Sequence, residues 1–240
     1  MLNYTFDWSV LWRQPYGEMM LHGIRTTITL SLAGWCLAVL VGVIVAGLRG
    51  SRNRWLRALG LAYVLVFRNI PFLVQLFFWY FAAPLILSTD ARTWLYDNVP
   101  DYGYWCGVFG LGVYTASRVA EQFRSGLRSI PADQYRAAYS TGLRPNQVYR
   151  YVILPYAFRI IIPSFTTEFL TCFKNSALTM TIGVMEITHT AYYIDSFTWH
   201  GLETTTAASF CYLLIAQIIA LIMWRVESRT HIAGMITRGH

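Results

Sequence analysis

Charge is scarce in this chain, and lysine is almost absent. Only 13% of the 240 residues are Asp, Glu, Lys or Arg, and Lys174 is the sole lysine. Soluble domains carry about 25% charged residues, so an ordinary soluble domain is excluded. There is no Gly-x4-Gly-Lys-Ser/Thr phosphate loop, which excludes ATP hydrolysis by that chemistry within this chain. His-Glu-x-x-His, Cys-x-x-Cys and Gly-x-Ser-x-Gly patterns are missing as well. The four cysteines (Cys36, Cys106, Cys172, Cys211) sit in or beside apolar runs without ligand spacing and read as small buried apolar side chains. His22, His189, His200, His231 and His240 are scattered, so no metal site is expected. Asp7, Arg13 and Glu18 interrupt the first 25 residues, which argues against a cleaved leader and for a first span that is kept.

What is abundant is apolar sequence, 55% of the chain, with a further signature of 16% aromatics. A hydrocarbon core of about 30 Å needs ~20 apolar residues per helical span. Five segments meet that requirement on a helical reading, at roughly 26–48, 58–87, 104–123, 157–187 and 204–226. The expected fold is therefore all-α and integral to the membrane, with five transmembrane helices in a single domain over 1–240. Pro71, Pro84 and Pro163 mark kinks. Gly34, Gly42 and Gly47 in the first span would permit close helix contact.

The net charge of +7 would suggest nucleic acid in a soluble protein, but here the cations flank the spans. One side gathers Arg49, Arg52, Arg54, Arg57, Arg124, Arg128, Arg136, Arg144, Arg150, Arg159, Arg225, Arg229 and Arg238; the other holds only Arg13, Arg25 and Arg92. The positive-inside rule then places the N-terminus outside and the C-terminus in the cytoplasm. Trp94, Tyr102, Tyr104, Trp105, Tyr192, Tyr193 and Trp199 suit the outer aromatic belt.

On that topology, 124–156 is the largest cytoplasmic element. Pro131 starts a short helix through Ala137-Ala138, which Gly142 ends in a left-handed cap. A second short helix over 146–153 is closed by Leu154-Pro155. Composition alone leaves two readings of this knob open: a solvated connector, or a surface presented to a soluble partner.

Three segments carry a resemblance. Arg136-Ala137-Ala138…Gly142…Val152-Ile153-Leu154-Pro155 resembles the coupling loop of bacterial ATP-binding-cassette (ABC) importer permeases, with Arg136 where the family pattern has Glu. Arg68-Asn69-Ile70-Pro71-Phe72-Leu73-Val74-Gln75 and Lys174-Asn175-Ser176-Ala177 are similar to signatures of polar amino-acid uptake permeases, and their variants look closest to glutamate/aspartate import permeases. The match spans about residues 22 to 228. It implies a type I importer permease fold and a non-enzymatic transport subunit. It also implies a second permease (the same chain or a related one), two cytoplasmic ATP-binding subunits that use ATP and Mg, and a periplasmic amino-acid-binding protein. This chain would bind no cofactor. The resemblance gives Arg136, Ala137, Ala138, Gly142, Leu154 and Pro155 to ATPase coupling. The solute implied is a polar amino acid: glutamate/aspartate first, with glutamine, arginine, histidine or cystine as alternatives. A membrane enzyme or channel would need a catalytic constellation or repeated pore motif, and neither is visible.

Charges inside the spans add candidates. An isolated lysine facing lipid costs about 2.5–3.5 kcal/mol, so Lys174 should face a helix, an acid or water. Glu168 lies six residues earlier, about 120° around the helix, a poor intrahelical partner. Lys174 is thus open to two roles, a structural ion pair or a place on the substrate path with Glu168, Asn175, Ser176 and Gln75. Arg68 and Gln75, seven residues apart, fall on nearly one helix face. Arg118 and Glu121 are spaced to pair at i, i+3, as structural or gate charges.

Overall fold

The computed structural model describes residues 4–230; Arg238, His231 and His240, named above, lie outside them. Among the described residues ten α-helices are linked by short turns: α1 Tyr16–Gly50, α2 Arg54–Asn69, α3 Phe72–Phe77, α4 Thr89–Asn98, α5 Tyr102–Arg128, α6 Ala132–Ser140, α7 Pro145–Val148, α8 Leu154–Asn175, α9 Ile187–Thr198 and α10 Gly201–Thr230. Among the described residues there is no strand. By length and composition α1 and α10 can cross a membrane alone. Arg54–Asn69 and Phe72–Ile86 qualify only together, and they are bent by 104°. α5 and α8 have the length, but their polar residues keep composition alone from marking them.

The bend replaces the single span expected at 58–87. Pro71 lacks an N–H and its ring disfavours helical Ile70, which turns extended (φ −86°, ψ 129°). Hydropathy averages across such a break and cannot see it. α1 starts ten residues before the expected boundary, because Met20, Gly23 and Thr27 form a buried stripe while Glu18, His22 and Arg25 stay outside. The expected span at 157–187 also divides: α8 ends at Asn175, a 3-10 turn covers Ser176–Ile182, and Gly183 turns left-handed (φ 81°) before α9. The Glu186 carboxylate caps α9, accepting from the Thr188 and His189 amides and from the Tyr212 hydroxyl at 2.6 Å.

α1 and α5 make the longest contact in the bundle. It depends on Gly42, where a Cβ would stand 2.5 Å from Val119 Cγ1 and 3.1 Å from the Ala116 carbonyl oxygen. Gly34 meets Leu111 in the same way, whereas nothing approaches Gly47, so only two of the three expected glycines sit at a contact.

At one end of the bundle, a 3-10 turn over Trp8–Trp12 is tied to α10. The Asp7 amide donates to Glu203 at 2.7 Å, and the Tyr4 hydroxyl also donates to Glu203. The Ser9 hydroxyl first, against the opposing effect of burial, and then the Ser9 amide and Arg13 hold the Asp7 carboxyl below its ordinary range. A depressed carboxylate stabilises above its unfolded value, and that contribution is lost as pH falls through the folded one. The N-terminal turn should therefore hold through neutral pH and loosen only below about pH 4. A titration of Trp12 fluorescence checks this, and a midpoint near pH 6 would contradict it.

Candidate functional site

The arginine-rich segments meet at the other end of the bundle. Arg49, near the end of α1, pairs with Glu121 on α5, and Arg124 and Arg128 lie close enough to act on it electrostatically. Thr166 of α8 donates to Glu227 of α10 at 2.8 Å, which brings the α10 terminus, with Arg225 and Arg229, to that same end.

The segment 124–156 folds onto this end as a knob. Ile130, Ala138, Val148 and Ile153 join Val119, Ala157 and Ile161 in one buried cluster. Ala138 is thus structural, while Arg136, Ala137, Gly142, Leu154 and Pro155 remain exposed. The Arg136 side chain pairs with Asp133 at 3.3 Å and is largely exposed. Gly142 adopts φ 79°, the left-handed cap expected of it, with no side chain within reach. The second helix, however, does not close at Leu154-Pro155. A π-turn over Tyr149–Ile153 leads into α8, so the chain is helical without interruption from 145 to 175. Pro155 cannot donate to residue 151, and the wider turn absorbs that missing bond.

The expected charge pairs are redrawn. Arg118 and Glu121 do not pair with each other. Glu121 reaches across to Arg49, and Arg118 reaches to Glu168 on α8 at 3.5 Å, with the Tyr114 hydroxyl at 3.3 Å and the Tyr114 ring 5.5 Å beneath it. Sequence spacing shows only neighbours along one helix, and both partners come from other helices. Glu168 therefore faces Arg118, while Lys174 stands exposed farther along α8.

Gln75 is not an open lining group. It is 4% exposed, and its Nε2 donates to the Phe67 and Ile70 carbonyls at 2.8 Å each, satisfying the broken end of α2. The bend separates it from exposed Arg68, so the two do not share a helix face. Ser176 is fully buried and donates to the Phe173 carbonyl at 2.6 Å; Asn175 is half-buried.

One feature escaped sequence reasoning. Ser164, Thr167, Thr171 and Lys174 fall at i, i+3, i+7 and i+10 on α8, and this polar line is open or half-open along its length. Thr167 and Thr171 return their hydroxyls to carbonyls four residues back, which lets them occupy an apolar helix. A helical period in hydroxyls, searched for as apolar periods are, would have found it. Beyond the end of α8, a cavity of about 690 Å³ opens beside Gly183, lined by His22, Thr26, Tyr80, Asp101, Tyr104 and Trp105.

The described residues thus form an all-helical apolar bundle with an exposed knob at one end, joined by one unbroken helix to a polar face. Residues 38–232 match the family described as binding-protein-dependent transport system inner membrane component, and the chain belongs to that family. It is similar to the glutamate/aspartate import permease protein GltJ of Escherichia coli (strain K12), 36% identical over 97% of this chain and 98% of that one. It is also similar to the octopine transport system permease protein OccM of Rhizobium radiobacter, 30% identical over 92% and 89%. Among solved structures, an amino acid ABC transporter crystallised with histidines aligns with TM-score 0.81 at 26% identity, covering 94% of this chain and 100% of that one.

Proposed function

We propose that this chain is the permease subunit of an ABC importer that carries a polar amino acid, glutamate or aspartate in the first instance, inward across the bacterial inner membrane. The observation that carries the reading is the unbroken helix from 145 to 175, which joins the exposed part of the knob to the Ser164–Lys174 polar line. A motion imposed on the knob by a cytoplasmic ATP-binding subunit would reach that face directly. The single domain 1–240 would cross the membrane five times, with the bent pair α2 and α3 counted as one span. Arginine clustering supports a cytoplasmic C-terminus. The many exposed apolar side chains would meet lipid and a second permease subunit, the same chain or a related one. Two ATP-binding subunits would supply ATP and Mg chemistry, and a periplasmic binding protein would deliver solute above the cavity at Gly183. The glutamate/aspartate assignment rests on the similarity to the Escherichia coli permease and on the cations of α5 and α8. Alternating access follows as rigid-body switching between inward- and outward-facing states.

Exposed Lys174 is the cation of the polar line. Lys174→Ala should leave insertion intact and reduce uptake in proteoliposomes by about tenfold, the scale of one charge-assisted hydrogen bond. Uptake at the wild-type rate would remove Lys174 from the path. The function as a whole is tested by reconstituting the chain with its ATP-binding subunits and binding protein and measuring ATP-dependent uptake of labelled glutamate. Failure to take up any polar amino acid would refute it.

A further inference from the structure

We propose that Arg118 is the residue that receives the side-chain carboxylate of the transported amino acid, and that Glu168 is the internal anion it exchanges for that carboxylate. The inference rests on the transport reading above and names the solute chemistry of the same path.

α5 carries two ion pairs one turn apart, and they differ in kind. In the Arg49–Glu121 pair the arginine side chain is only 6% exposed, although its Nε too has no hydrogen-bond partner among the described residues. The Arg118–Glu168 pair is loose: its nitrogen and oxygen stand 3.5 Å apart, against about 2.7–2.9 Å for a charge-assisted bond. Glu168 is more than nine-tenths buried, yet its Oε2 has no hydrogen-bond partner among the described residues, and neither has Arg118 Nε. A buried carboxylate held this weakly leaves most of its desolvation cost uncompensated. The pair is under-satisfied on both sides.

The guanidinium is nevertheless held in place. The Tyr114 ring supports its plane and the Tyr114 hydroxyl contacts one terminal nitrogen, while the side chain remains 37% exposed. An arginine more than a third open within a membrane helix cannot face lipid cheaply, so its open side faces water or protein. A positioned planar fork with free N–H donors suits bidentate binding of a carboxylate.

An acidic amino acid carries a carboxylate beyond the α-carboxylate common to all amino acids, so a site built on the Arg118 fork favours glutamate or aspartate over glutamine or arginine.

The test is equilibrium binding of radiolabelled glutamate and glutamine to the purified permease–ATP-binding-subunit complex. Arg118→Gln alone would strand the Glu168 charge and could unfold the chain, so the informative variant is Arg118→Gln with Glu168→Gln, which removes both charges and keeps the shapes. Its Kd for glutamate should rise at least about tenfold while its Kd for glutamine stays within about twofold. Glu168→Gln alone removes the internal competitor and should tighten glutamate binding. Wild-type glutamate affinity in the double variant would overturn the proposal. So would equal loss of glutamate affinity in the double variant and in Glu168→Gln. A wild-type complex that imports only neutral amino acids, unaffected by the double substitution, would overturn the carboxylate role and leave the transport reading standing.

Discussion

Gly142→Asp should yield a permease that inserts and purifies normally but neither retains nor stimulates its ATP-binding subunit. The fold has little at stake there: the residue is exposed and an added Cβ meets nothing within 4 Å. The left-handed backbone, φ 79°, costs a non-glycine residue about 1–2 kcal/mol, with aspartate at the tolerant end. The proposed docking surface has more at stake, since it would gain a bulky anion on the exposed knob. Co-purification in detergent and coupled ATP hydrolysis separate these effects. A Tm lowered by only about 2–8 °C together with lost co-purification is the expected result, and full transport activity in the variant would defeat the docking role.

Gly42→Leu should do the opposite and destroy the fold before any partner is met. A Cβ alone would overlap Val119 and crowd the Ala116 carbonyl oxygen, which cannot swing aside as a side chain can. One added methyl in a packed contact costs about 1–3 kcal/mol. Gly42→Ala should therefore lower Tm by about 2–12 °C on the scale of 2–4 °C per kcal/mol for a chain of this size. Leucine adds three further carbons and must drive α1 and α5 apart, so no monodisperse protein is expected on size-exclusion chromatography. Gly47→Leu is the control, because open space lies beside Gly47 and the fold should be untouched. Equal tolerance at both positions would show that the α1–α5 contact is looser than its geometry.

These two glycines show what sequence could and could not disclose. Gly142 was legible because its neighbours, Pro131, the alanines and Pro145, punctuate a local turn, and local turns are written in adjacent residues. Gly42 was legible as a small residue on an apolar helix, yet Gly47 carried the same mark without a contact, since only packing decides which face meets α5. The ends of the third and fifth apolar segments lay within a few residues of α5 and α10, as periodicity over long runs allows. The break at Pro71 and the turn at Gly183 were missed because apolar composition continues across both. Among the candidate site residues, Arg136, Ala137 and Gly142 are exposed on the knob, Ala138 faces inward, and Leu154 and Pro155 lie inside a continuous helix instead of closing one. The charge partners were not legible, because Arg49–Glu121 and Arg118–Glu168 join helices far apart in sequence, and no spacing rule along one helix reports them. Gln75 looked like a free polar group until the broken carbonyls beside it gave its amide a structural task.

The continuity of the helix from 145 to 175 has a mechanical consequence. At 1.5 Å per residue it is a rod about 45 Å long. A pivot near its knob end that tilts it by about 10° would carry the Lys174 end through roughly 8 Å, more than a helical turn. The compliance of that rod lies at two places, the π-turn over Tyr149–Ile153 and Pro163, where the regular bonding is interrupted. Its stroke is therefore set by how stiff those two joints are, so a softer joint would let the knob move while the polar face stood still.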